Sequence, residues 1–189
     1  MRLILASASP RRAELLTSAG FQFEVSPADV DETPKPSESP TAYALRVAHD
    51  KAAVVIARNR EAGSVVLAAD TVVVAGGEIL GKPADSHDAA RMLRTLANAV
   101  HDVHTAVVIR GPADERAQVV TTRVTFRPLD EAEIAWYVAS GEPEGKAGAY
   151  AIQGRAARFI EKIDGSWSNV VGLPLATVYR LLKELSIAD

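Results

Sequence analysis

Apolar positions along the 189-residue chain alternate between strand-like runs and helix-like spacing. Leu3-Ile4-Leu5-Ala6 within residues 2–6 is a short apolar run with the look of a buried strand. Residues 10–19 follow as a helix, with Ser9 at the N-cap, Pro10 at the first helical position and Gly20 where a left-handed C-cap would sit. Residues 21–25 alternate like a short strand, and 26–40 hold four prolines and the acids Asp29, Asp31, Glu32 and Glu38, the composition of a loop. Ser39-Pro40 opens a second helix running to about Arg60. Residues 65–74 are a strand, Gly76-Gly77 turns the chain into a hairpin partner at 78–80, and 86–97 is a helix with apolar Ala89, Met92, Leu93 and Leu96. Strands at 103–109 and 119–126 meet at a turn around Gly111-Pro112. A helix at 130–139, a strand at 158–163, a loop at 166–172 and a closing helix at 173–185 complete the order. Interleaved strands and helices define an α/β class, and the hairpins call for a mixed sheet.

Three positions break this pattern in ways that point to chemistry. Lys51 falls on the apolar side of its helix, in line with Ala44, Val47, Ala48 and Val55. A buried lysine needs a partner, while a lysine at the edge of a core can snorkel to water. Asp70 sits in the middle of Val65–Val74, where an isolated carboxylate is costly unless a cation, a metal or a raised pKa relieves it. At the first helix, unpaired backbone N–H groups, the helix dipole and the forked donors of Arg11 and Arg12 suit an anion such as phosphate.

Other residues extend this set. Lys82 stands on a Gly81-Lys82-Pro83 turn, and Lys146 is surrounded by Gly141, Gly145, Gly148 and Gly154, which permit close backbone approach to a ligand. Gln153 in the same stretch carries both a donor and an acceptor, as a base edge requires. His101 and His104, without a third nearby ligand, read as ordinary strand or rim histidines. Ser7, Ser9, Arg11, Arg12, Glu32, Lys51, Asp70, Lys82, Lys146 and Gln153 together suit a polyphosphate with a divalent metal: cations for the phosphates, carboxylates for the metal or for activating water. That balance supports phosphate chemistry without choosing a reaction.

Composition narrows the classes. A net charge of −3 argues against a nucleic-acid binder, and the absence of cysteine removes thiolate metal sites and nucleophiles. No apolar run is long enough to span a membrane, and no signal-peptide cleavage pattern follows Met1, so a cytoplasmic protein is expected.

The segments LILASASPRRAELL, VDETP, Ala48-His49-Asp50-Lys51-Ala52, AADTVVV, GEILGKP, YVASGEPEGKAGAYAIQG and NVVGLPL stand in order from residue 3 to 175. Together they resemble the Maf family of nucleoside triphosphate pyrophosphatases. The resemblance implies a single domain over 1–189, with a twisted mixed sheet, flanking helices and a central cleft between two lobes, as in the inosine triphosphate pyrophosphatases. It implies hydrolysis of a nucleoside triphosphate to the monophosphate and pyrophosphate with Mg2+ or Mn2+. The family's members are commonly dimers, which admits a homodimer here without fixing the oligomeric state. Asp70 matches the family's catalytic acid, Ser9, Arg12, Lys51 and Lys82 its phosphate positions, and Glu32 an acid that helps hold metal. Arg11, Thr71 and Gln153 match the set carried by the dTTP/UTP subfamily. The alternatives are a 7-methyl-GTP or broader pyrimidine enzyme, and a nucleotide-binding regulator of septum formation.

Overall fold

The computed structural model describes residues 2–59, 61, 63–111 and 113–185. The expected helix end at Arg60 and the Pro112 half of the 111–112 turn lie outside these residues. Seven strands form one mixed sheet in the order β2-β1-β3-β5-β6-β7, with β4 paired to β3. The strands are β1 (Arg2–Leu5), β2 (Glu24–Val25), β3 (Ser64–Ala75), β4 (Glu78–Leu80), β5 (Val100–Arg110), β6 (Glu115–Phe126) and β7 (Ile160–Asp164). The helices are α1 (Pro10–Ser18), α2 (Pro40–Arg58), α3 (Ser86–Leu96), α4 (Glu131–Ala139), α5 (Trp167–Val171) and α6 (Leu175–Glu184). β1 runs parallel to β2 and β3, whereas β3–β4 and β6–β7 are antiparallel. This is the mixed sheet expected from interleaved crossovers and hairpins.

The chain divides into two compact units. The first comprises residues 1–70, 105–120 and 172–189, and the second 71–104 and 121–171. In the first unit β1 and the opening half of β3 are buried almost without interruption, as parallel central strands are. Helix α2 buries Ala44, Val47, Ala48, Lys51, Ala52 and Val55 along one stripe. In the second unit α3 packs against α4 and against the turn at Ala147–Ala149. Its core includes Phe126, Tyr137, Tyr150 and Phe159 in edge-to-face and tilted contacts. His101 joins this core with its Nε2 2.9 Å from the Tyr150 hydroxyl, and is a core histidine.

Several boundaries differ from the sequence expectation. β5 and β6 begin three and four residues earlier than expected, at Val100 and Glu115. Residues 155–159 form a 3-10 helix that takes the start of the strand expected at 158. Only Glu24–Val25 of residues 21–25 pair as a strand. The expected loop at 166–172 contains helix α5. Gly20 adopts φ +80° after α1, the left-handed geometry expected at that position.

Candidate functional site

In the first unit, a helix and a strand bring Lys51 and Asp70 together. Asp70 lies within the continuous strand β3 and is 8% exposed. Lys51 on α2 is 7% exposed, and its Nζ donates to Asp70 Oδ1 at 2.8 Å. The same ammonium meets Glu32 Oε1 at 2.7 Å. Lys51 therefore bridges a buried strand carboxylate and an exposed loop carboxylate, and the pairing explains how the buried charges of Lys51 and Asp70 are tolerated.

Glu32 is held by its surroundings. The Tyr43 hydroxyl donates to the Glu32 carbonyl at 2.8 Å, and its pKa is pushed up to about 12 by burial and by the nearby Asp70 and Glu32 charges. Arg46 makes a fork to Glu38 at 2.7 and 2.9 Å and donates to the Thr33 carbonyl at 3.0 Å. Arg46 holds the Glu38 carboxyl down to about 2. The proline-rich loop is thus stitched to α2 at Glu32 and at Thr33 and Glu38 after it.

Arg12 is buried at the start of α1. Its Nη1 donates to Ser7 Oγ at 3.0 Å and its Nε to the Gly172 carbonyl at 2.8 Å. Burial lowers its pKa, and the charges of Asp70 and Glu32 partly restore it. Arg12, Lys51, Asp70 and Glu32 so compose a charge-balanced cluster. Ser9 occupies the N-cap position with extended backbone, but its hydroxyl makes no cap bond. Its own N–H instead donates to Ser7 Oγ at 3.2 Å. The expected cap is therefore corrected: Ser7 organises this turn, and the Ser9 hydroxyl is not used by the helix. Ser39, by contrast, does cap α2, accepting from the Ala42 N–H at 3.2 Å. Arg11 is half-buried beside Arg12, and burial lowers its pKa against a smaller opposing effect of Glu14.

The remaining candidates belong to the second unit. Thr71 is half-buried on β3, and Lys82 is exposed on the turn after β4. Lys146 Nζ donates to the Glu144 carbonyl at 3.3 Å. The Gly148 N–H donates to the Gly81 carbonyl at 3.0 Å, which ties the glycine-rich segment to the turn carrying Lys82. Gly148 has φ +69°, and a Cβ there would stand 2.9 Å from Val73 Cγ2, so both backbone and space require glycine. Gln153 is exposed between Ile152 and Gly154.

Two functional partners escape sequence inspection. The Gly172 carbonyl that holds Arg12 is a backbone atom 160 residues away and leaves no sequence signal. Tyr43, about two turns before Lys51 on α2, could have been noticed by its helical position. Among the described residues no group of three or more His, Cys, Asp or Glu side chains gathers as a metal site, and no helix is long and apolar enough to cross a membrane.

This α/β protein belongs to the Maf family: the model of the Maf-like proteins matches residues 2–185. Among its relatives, proteins named dTTP/UTP pyrophosphatase share 54% identity over 96% of this chain and 93% of their own in Anaeromyxobacter dehalogenans (strain 2CP-1). Those of Geobacter sulfurreducens and Myxococcus xanthus share 51%, covering 97% and 98% of this chain and 96% and 93% of theirs. The chain is therefore similar, over nearly its whole length, to proteins named for a pyrimidine nucleotide pyrophosphatase.

Proposed function

We propose that this protein hydrolyses a nucleoside triphosphate, dTTP or UTP by preference, to the nucleoside monophosphate and pyrophosphate. The observation that carries the reading is the buried Lys51 bridging Asp70 and Glu32 beside the buried Arg12, in a chain 54% identical to a protein named for that reaction. A cluster that buries Arg12, Lys51 and Asp70 beside the more exposed Glu32 is expensive for packing alone and suits a charged substrate.

In this reading Ser7, Ser9 and Arg12 meet phosphate oxygens at the start of α1, with Lys51, Lys82 and Lys146 neutralising further phosphate charge. Water adds to the α-phosphorus, the bond to the bridging oxygen breaks, and pyrophosphate leaves. Asp70 takes the proton lost by the water, with Lys51 fixing the carboxylate's orientation. Arg11, Thr71 and Gln153 set the preference for the base, Gln153 through its paired donor and acceptor.

The residues also fit a hard divalent cation. Glu32 and Asp70 would be the carboxylates that hold it, and two carboxylates plus substrate phosphates are a donor set that Mg2+ accepts. Such an ion would supply charge neutralisation for the triphosphate.

Pyrophosphate release from dTTP, UTP, 7-methyl-GTP and ATP, with Mg2+ and with chelator, tests the proposal. Fastest release from dTTP and UTP, abolished by chelation, is expected. Absence of release from every triphosphate, with binding retained, would instead make the protein a nucleotide-binding regulator.

A further inference from the structure

Gln153 is exposed on an irregular segment, yet a base-reading side chain must be presented by a fixed backbone. The structure holds that backbone with one buried tyrosine and one carboxylate. The Tyr137 hydroxyl, on α4, accepts from the Ala151 N–H at 3.1 Å, two residues before Gln153. The Glu142 carboxylate accepts from the Arg155 N–H at 3.0 Å, two residues after it, and from the Ala156 N–H at 3.4 Å. Tyr137 and Glu142 are joined in turn, the hydroxyl donating to Glu142 Oε1 at 2.9 Å. The Glu142 N–H donates to Ser140 Oγ at 3.2 Å, and Ser140 Oγ donates to the Tyr137 carbonyl at 2.6 Å, fixing the carboxylate to the end of α4.

Gly154 completes the arrangement. A Cβ at this position would collide with the Glu142 carboxylate, so the chain passes the acid at backbone distance only because residue 154 has no side chain. Tyr137 is fully buried, edge-on to Phe159, and burial raises its hydroxyl pKa, so it stays a donor throughout the working pH range. A carboxylate receiving one hydroxyl and two backbone N–H bonds has its acceptors committed to the protein rather than to a ligand.

We propose that Glu142, acting with Tyr137 through the 151–156 backbone, is a positioning residue that sets the pyrimidine preference by fixing Gln153. The inference rests on the reading of Gln153 as the base contact. Removing the acid leaves three donors to find water, and the segment between Ala151 and Ala156 loses its fixed path. The consequence falls on discrimination between bases rather than on the phosphate chemistry, because the Glu142 carboxylate bonds Tyr137, Arg155 and Ala156.

The test measures kcat and KM for dTTP, UTP and ATP in Glu142→Ala, Gln153→Ala and the double variant, with amide hydrogen exchange across 151–156. Glu142→Ala is expected to accelerate exchange at Arg155 and Ala156. It is also expected to raise KM for dTTP and UTP about tenfold while changing ATP turnover less than twofold, shrinking the base preference by that factor. In the Gln153→Ala background the same substitution should no longer change the preference. Glu142→Gln, which keeps one acceptor oxygen, should restore part of it. Tyr137→Phe keeps the packed ring and removes only the hydroxyl, so it tests the same prediction if Glu142→Ala folds poorly. Faster exchange with an unchanged preference would overturn the positioning role. A Gln153→Ala variant that weakens all three triphosphates equally would overturn the base-contact reading itself, a separate outcome from the first.

Discussion

The two units place their polar side chains on different kinds of backbone. In the first, Lys51 and Asp70 stand inside a 19-residue helix and a 12-residue strand, and their partners are other charges. In the second, Lys146 and Gln153 stand on a segment of glycines and 3-10 turns, and what holds that segment is a set of bonds to backbone N–H groups. Regular elements can bury a charge because their own hydrogen bonds are complete, leaving the side chain as the only polar group to satisfy. An irregular segment must first satisfy its backbone, and a side chain such as Glu142 is used for that. The first region is thus sensitive to charge and the second to backbone geometry.

The largest expected effect breaks the first region. Asp70→Asn should lower kcat by about 100-fold or more while nucleotide binding persists, read by pyrophosphate release and by titration of a nonhydrolysable triphosphate. Near-normal turnover would remove Asp70 from the chemistry. Lys51→Ala should cost both activity and about 3 kcal/mol of stability, because it leaves Asp70 buried without its cation. Urea melts of the two variants separate these effects: a Lys51→Ala protein as stable as the parent would mean that Asp70 finds another partner.

The second region responds to acid through its core. Burial lowers His101 to about 4, against an ordinary value near 6.5, so the folded state resists a proton that the unfolded chain accepts. The stabilising contribution is therefore complete above pH 6.5 and is lost as pH falls toward 4, to a total of about 3 kcal/mol. Chemical denaturation at pH 7 and pH 4.5 checks the sign, and His101→Gln should flatten that part of the pH dependence. Gly148→Ala should destabilise by about 1–3 kcal/mol through its positive φ and the contact with Val73, seen as a lower melting temperature. Smallest is Gln153→Ala, about tenfold in kcat/KM for dTTP and UTP relative to ATP, with stability unchanged.

The same contrast explains what could be read from the amino-acid order. Lys51 and Asp70 were legible because each is anomalous in a periodic element, and two such anomalies in buried positions satisfy each other most cheaply. Glu32 was legible as an acid of the set, but its pairing with Lys51 was not, because it lies in a loop without periodicity. Ser9 was legible as a helix start but not as an unused cap, since Ser7 two residues earlier could take the turn's N–H. Helix α5 was missed because it is only five residues long, although Ser166 Oγ accepting from the Asn169 N–H at 3.3 Å is a capping pattern visible in the residue order. Glu142 left no trace at all, because its acceptors meet mostly backbone donors, which every sequence offers equally.

The bond from Arg12 to the Gly172 carbonyl has a consequence in the order of synthesis. Residue 12 leaves the ribosome early, but the carbonyl that orients its guanidinium is made 160 residues later. The residues between them must be made before this arginine can be held in place, and they form the loop that closes on it. An incomplete chain that already carries Lys51 and Asp70 therefore lacks a correctly held Arg12. Truncated products released before Gly172 should be catalytically silent rather than partly active.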